Sequence, residues 1–493
     1  MSLDPIGIRR VGLHALLALL LLSIGLAPLQ PIRAGSLPQA GARGTIPHTN
    51  VDPYGANIFL QSEVEQAKVT KTLDLAASAH LVWIKQDFVW SDIEINKKGD
   101  FQDIRNGANK SAWDKYDYIV DQAEQRGLKV VARVSFAPTW ARAPGSHAND
   151  APQNPGDLAD FVDAMIGHYK GRIRYIQVWN EPNLAVEWKF GGKVDPAAYT
   201  QMLKTVYTKA KQADPSVVIL SAPMAINNET IDYAGNDNEL DYWAKMYEAG
   251  AKDYFDILSA NAYGLDQPPD APPSADTLNF RRVELLHDVM VQKGDTNKAV
   301  WFNEYGWNAS PTTLTPAERN LWRRVDPAVQ AQWTVDGINY AQAHWPWSGV
   351  FFIWYLRQVG DISPDKAEYY FAMVYPDFSQ QQVYKSVRHA AGLYNGPGAP
   401  GGAAVPATTA PSGVATDTPA AGITAMPGGP TAPPGAGGAA ATPTAIAATP
   451  VPTASPDSGV SSSTLLLIAG IVLVLLGLGA IGYFLLRTPT AKA

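Results

Sequence analysis

Two short runs hold the residues best able to do chemistry: Ile176-Gln177-Val178-Trp179-Asn180-Glu181-Pro182-Asn183 and Val300-Trp301-Phe302-Asn303-Glu304-Tyr305-Gly306-Trp307. Each sets a glutamate directly after an apolar, strand-like stretch, and the two glutamates are 123 residues apart. Two carboxyl groups facing one another can break a glycosidic bond. One attacks the anomeric carbon, while the other protonates the departing oxygen and then deprotonates water. An Asn-Glu-Pro tripeptide by itself is weak, because so short a motif recurs by chance. The pair says more, provided the chain brings both strand ends to one mouth.

The elements that must do so lie between about residues 45 and 395. Short β-rich apolar runs at 55–60, 81–88, 129–136, 173–179, 217–222, 255–262, 299–303 and 350–355 alternate with helical patterns. Ser111 with Asp114 resembles a capping box, and Gly127 can close the same helix in a left-handed conformation. Asp195-Pro196 and Asp326-Pro327 each offer an N-cap followed by proline at the first helical position. Residues 158–169 and 328–344 show apolar spacing of three and four. Eight strands alternating with helices predict an α/β fold, a (β/α)8 TIM barrel, rather than an open sheet. In such a barrel the chemistry sits at the C-terminal ends of the strands, where both glutamates fall. Strands four and seven, which carry them, lie across the same barrel.

Composition narrows the function further. With 46% hydrophobic and 17% charged residues the chain can bury a large core. A net charge of −7 with no basic stripe argues against nucleic acid as a partner. The absence of cysteine excludes disulfides, thiolate catalysis and Cys-based metal sites. No Gly-x-Gly-x-x-Gly or P-loop follows the first strand, and the eight histidines form no His-x-x-x-His pair, so neither a cofactor nor a metal is expected. The 14 Trp and 21 Tyr suit a sugar ligand, since an indole face stacks on the apolar face of a pyranose. No obligate protein partner is implied.

Both ends point outside the cell. Arg9 and Arg10 precede a leucine-rich run, so residues 1–34 read as a signal peptide or an N-terminal anchor. Residues 396–462 turn to Pro, Ala, Thr and Gly with only Asp417 and Asp457 charged, a stalk that cannot bury a core. Extended, it would span roughly 200 Å. The uncharged stretch 464–486 reads as a transmembrane helix, and 487–493, with Arg487 and Lys492, as a short cytoplasmic tail. The expectation is a single-pass protein in the cell membrane with its barrel, 45–395, outside.

Over roughly residues 54–395 the sequence resembles clan A of the glycoside hydrolases, most closely family 39 and the cellulase-like members of family 5. The resemblance rests on 83–94, 127–140, 175–183, 255–263, 301–307 and 351–355. It implies a retaining glycosidase acting on a poly- or oligosaccharide, with Glu181 as acid/base and Glu304 as nucleophile. It also implies that Asn180 bonds the sugar 2-hydroxyl, Tyr263 orients the nucleophile, and Trp354 forms the platform beneath the sugar. The chain departs from the pattern twice. Asn261 stands where relatives usually carry histidine, and asparagine can bond a hydroxyl but cannot titrate. Lys85 stands where the clan often has an arginine supporting the nucleophile, and it keeps the charge without the bidentate fork. A non-catalytic carbohydrate-binding module and a transglycosylase would use the same residues.

Among the remaining candidates, Asp87 and Trp90 follow strand two and are balanced between cleft and structure. Trp140 and Trp307 are candidates for stacking on sugar, with a core role as the competing reading, and Trp179 reads as core from strand alternation. The sugar, its linkage, and attack at chain ends or inside a chain depend on the loops 183–194, 264–274 and 308–326.

Overall fold

The computed structural model describes residues 45–399, apart from 108, 189–192, 229–235 and 361. Eight parallel strands close a barrel: β1 (Tyr54–Ile58), β2 (Trp83–Val89), β3 (Lys129–Ser135), β4 (Tyr175–Val178), β5 (Val218–Leu220), β6 (Ile257–Tyr263), β7 (Ala299–Gly306) and β8 (Ser348–Ile353). Each neighbours the next in sequence, and β1 pairs with β8 to close the ring. The helices that return the chain are α1 (Gln66–Ser78), α2 (Asp114–Glu124), α3 (Pro155–His168), α4 (Pro196–Ala213), α5 (Glu239–Glu248), α6 (Val283–Gln292), α7 (Pro327–His344) and α8 (Gln382–Leu393). The predicted (β/α)8 barrel is the observed one. The segments 1–34, 464–486 and 487–493, and the stalk beyond 399, lie outside the described residues.

Local signals account for most helix ends. The Asp195 carboxylate accepts the N–H groups of Ala197 and Ala198 ahead of Pro196, and so satisfies donors that the first turn leaves open. Gly127, at φ 69°, lets the Leu128 N–H return to the Ala123 carbonyl and end α2. Two expected caps do not form. Ser111 sits in a two-residue hairpin strand and receives the Trp113 N–H, so no capping box opens α2. Asp326 precedes α7, but its carboxylate pairs with Arg324 at 2.5 Å instead of capping.

Inside the barrel the side chains form layers. At the N-terminal ends of the strands Trp83, Tyr175 and Trp301 meet with ring centroids 5.0–5.2 Å apart, and the Trp301 indole donates to the His48 carbonyl. This aromatic floor closes the bottom. Above it lies a polar layer: Asn303 donates to Gln177 at 2.5 Å, and Asn57 and Lys85 both donate to the Asn303 carbonyl. The amide and ammonium donors of that layer have protein partners, whereas Asn57 Oδ1 and Asn303 Oδ1 are buried without one.

One strand departs from simple alternation. In the β6–β7 register Ala260 pairs with Phe302, yet the next residue, Asn261, pairs with Glu304. The skipped residue, Asn303, is a β-bulge. Phe302 points outward onto Phe351 and Trp345, and Tyr305 points outward to the Thr334 carbonyl on α7. Asn303 and Glu304 therefore both face the interior, which strict alternation forbids. The strand also runs three residues past its expected end, so Glu304 lies within it rather than after it. Conversely, β8 stops at Ile353, and Trp354 follows it.

Two glycines provide a paired test of this packing. A Cβ on Gly264 would lie 1.9 Å from the Trp307 ring, whereas one on Gly167, near the end of α3, meets nothing within 4 Å. Gly264→Ala should lower stability by about 3 kcal/mol through overpacking. Gly167→Ala should raise it by about 0.5–1 kcal/mol, because alanine loses less backbone entropy in a helix. Thermal unfolding of the two variants measures both, and equal shifts would contradict the packing described.

Candidate active site

Glu181 reaches the mouth through a strained turn. Directly after β4, Trp179 takes φ 72° and Glu181 φ 37°, left-handed values that disfavour side chains. Each such residue costs about 1–3 kcal/mol and persists only where its surroundings fix it. Here they do. The Trp179 indole is buried and donates to the Glu187 carbonyl, its N–H bonds Val134, and its own carbonyl receives Gln177. The Glu181 N–H is held by the Pro223 carbonyl at 3.0 Å. The turn sends the Trp179 ring into the core, as alternation predicts, and brings Asn180 and Glu181 to the cavity.

Glu304 enters from the bulged strand and meets donors only. The Tyr263 hydroxyl donates to its Oε2 at 2.7 Å, the Asn261 amide approaches the same oxygen at 3.3 Å, and the Lys85 ammonium lies 3.8 Å from Oε1. The same Asn261 Nδ2 donates to Glu181 Oε1 at 2.6 Å. Because one nitrogen touches both, the two bridged oxygens are at most about 6 Å apart. That is compatible with the ~5–5.5 Å of double displacement and short of the ~6.5–9.5 Å that admits a water between carboxyls.

Electrostatics separate the groups. Burial pushes Glu181 well above the usual carboxylate range, and the charges of Glu304 and Glu187 push it the same way, with the Asn261 hydrogen bond opposing. Burial also raises Tyr263, reinforced by Glu304, so its phenol stays a donor. Lys85 is lowered to about 8 by burial, against the opposing pull of Glu304. Burial thus favours the protonated form of Glu181 and the neutral form of Tyr263, while Lys85 keeps its charge near neutrality.

Both glutamates open into a cavity of about 400 Å³, whose lining includes Asn180, Tyr263, Trp354, Asp87 and Arg133. A larger cavity of about 510 Å³ surrounds His80, Arg126 and Lys129. It has no carboxylate and no aromatic pair of this kind, so the chemistry belongs to the smaller one. Asn180 is nearly buried, and its Oδ1 has no hydrogen-bond partner. Trp354 packs edge-on against Phe59 at 5.2 Å and forms part of the wall.

Several expected contacts are corrected. Asn261 is not among the cavity's lining residues; it lies between the two glutamates and ties them together. Lys85 sits beneath Glu304, 2% exposed and outside the cavity lining, at the nucleophile that the clan's arginine supports. Trp307 is core: its ring packs on Tyr305 and Phe280, and its indole N–H is taken by the Gln267 carbonyl. Trp140 packs edge-on against Trp90 and donates to the Glu94 carbonyl, outside the cavity lining. Trp90 is fully buried, while Asp87 does reach the cavity. Neither tryptophan can be distinguished from a platform by spacing alone, because a strand-end indole turns inward or outward with one backbone rotation.

Sequence reasoning missed Arg133, Glu187 and Trp322. Arg133 had a signal: in Lys129-Val-Val-Ala-Arg-Val-Ser135 a lone cation interrupts a buried strand, and here it ion-pairs with Asp87 at 3.2 Å. Glu187 and Trp322 come from loops with no periodicity. Trp322 packs on Tyr263 with centroids 4.9 Å apart and donates to Glu368.

No protein-family model matches the chain, and no curated protein does. Among solved structures it is similar to a family 39 glycoside hydrolase from the gut symbiont Bacteroides cellulosilyticus WH2, with 18% identity and a TM-score of 0.51. That match covers 69% of this chain and 63% of the other, so the chain spans less than two thirds of that enzyme's length. It is also similar to a family 39 enzyme from Xanthomonas axonopodis pv. citri, with 15% identity, a TM-score of 0.50, and coverage of 71% and 68%. At such identity the likeness is one of fold, and it agrees with the family resemblance of the sequence: the chain has the barrel of the family 39 glycoside hydrolases.

Proposed function

We propose that the chain is a retaining glycoside hydrolase that cleaves O-glycosidic bonds of a poly- or oligosaccharide by double displacement. The observation that carries this reading is the shared Asn261 amide, which holds two chemically different glutamates within one bond's reach of a single nitrogen. Glu304, surrounded by donors, attacks the anomeric carbon. Glu181, its proton retained by burial, donates to the leaving oxygen and then takes a proton from the water that resolves the glycosyl-enzyme. Tyr263 and Lys85 hold the nucleophile in place, Asn180 bonds the sugar 2-hydroxyl, and Trp354 supports the ring.

We propose further that residues 464–486 span the membrane and that the barrel works outside the cell on the stalk 396–462. The support is the uncharged run followed by Arg487 and Lys492.

Glu304→Gln should leave the thermal transition within a few degrees of the parent and lower kcat on aryl glycosides by at least about 10⁴-fold. Parent-like activity would end the assignment. Glu181→Gln should lose most on substrates with poor leaving groups and least on activated aryl glycosides, whose departure needs no proton. A loss independent of leaving group would remove Glu181 as the acid. The pH profile has a stated sign. As pH rises, Glu181 loses the proton it must donate, and above about 8 Lys85 loses the charge beside Glu304, so activity falls on the alkaline side. Initial rates across pH 4–10 should trace a bell, and a flat profile would contradict the division of roles.

A further inference from the structure

The cavity holds one cation that the double displacement does not use. The Arg133 side chain is 7% exposed, and its Nε is engaged by Asp87 at 3.2 Å and Ser135 Oγ at 3.3 Å. Its two Nη nitrogens bond no described residue. They are also absent from the buried polar atoms that lack partners, so their four N–H donors open to the cavity that Arg133 lines. The same lining carries acceptors. Asp87 Oδ2 is only weakly used by Gln61 at 3.4 Å, and Glu187 lies within electrostatic reach of the guanidinium.

We propose that Arg133, Asp87 and Glu187 form a specificity subsite that reads two adjacent hydroxyls of a neutral sugar ring and rejects glycosyl groups carrying a carboxylate. The proposal rests on the glycosidase reading for its ligand class. A hydroxyl both donates and accepts, so a vicinal diol can take hydrogen bonds from the fork and return them to the carboxyls. A uronate can only accept. Its charge would meet a lining in which, among the described residues, Arg133 is the single cation against the carboxyls of Asp87, Glu187, Glu304 and Glu368. Arg133 cannot offset that, because Asp87 already matches its charge. Burial raises Glu187 to about 7, which lets it act as either partner to a hydroxyl near neutrality. The fork's rigidity matters as much as its charge: lysine in its place would keep the cation and lose the fixed pair of donors.

Binding separates this subsite from the chemistry. On Glu304→Gln, calorimetric affinities would be compared for a neutral phenyl glycoside, the matching uronide, and singly deoxygenated neutral analogues. The neutral glycoside should bind at least about tenfold tighter than the uronide. In that background Arg133→Lys should weaken the neutral glycoside about tenfold. It should also abolish the penalty for removing one particular ring hydroxyl, a non-additivity that a merely structural role would not produce. If Arg133→Lys does not fold, Asp87→Asn makes the same comparison. Preference for the uronide, equal deoxygenation penalties in both proteins, or no binding of any glycoside would overturn the proposal. Turnover by the unmodified protein distinguishes the two readings: selective binding without turnover sinks the hydrolase and keeps the subsite, while turnover with a uronide preference does the reverse.

Discussion

Two carboxyl groups pressed into one dry pocket cannot both carry a full charge cheaply, and the rest of this site is arranged around that fact. Two unit charges ~5.5 Å apart at an effective dielectric constant of about 20 repel by about 3 kcal/mol. That is enough to keep a proton on one of them near neutrality. The surroundings decide which. Glu304 faces a phenol, an amide and an ammonium, all donors, whereas Glu181 has the Asn261 amide and the neighbouring charge of Glu187. Asymmetry in the supporting groups thus separates the two carboxyls, and the proposed division of roles between two identical side chains rests on it.

The barrel supplies this arrangement at some local expense. Glu304 faces inward only because Asn303 is bulged out of register, and that bulge is pinned by Gln177, Asn57 and Lys85 in the layer below. Glu181 reaches the cavity through two left-handed residues clamped by buried bonds of Trp179. Neither feature makes the fold more stable. Both re-aim a side chain, and both are held by neighbours that have no direct part in chemistry, so packing well below the mouth fixes geometry at it.

How legible this was depends on which residues obey a period. The strands, their order and the helices follow from alternation of apolar runs with spacing of three and four, and the barrel could be read from them. The positions of Glu181, Glu304, Asn180 and Tyr263 could be read as well, because strand ends are the one place where a barrel must expose polar groups. The place of Lys85 beside Glu304 was legible, whereas Asn261 was half legible: its place on the strand was right, but its partners are the two glutamates. Trp140 and Trp307 misled, because an indole serves a core and a sugar equally well and only its rotation distinguishes the two. The bulge at Asn303 left no mark in the pattern, since it alters which face a residue takes without altering residue type. Trp322 and Glu187 lie on loops, where contacts come from tertiary packing and no local rule selects them.

The central claim is that one glutamate attacks while the other delivers and retrieves a proton, so the sugar is inverted twice. Proton NMR of the first-formed product, recorded during hydrolysis of an aryl glycoside before mutarotation, tests this most directly. The account predicts that the released sugar has the anomeric configuration of the substrate. Release of the opposite anomer would mean that water, not Glu304, attacks the ring, and would contradict it.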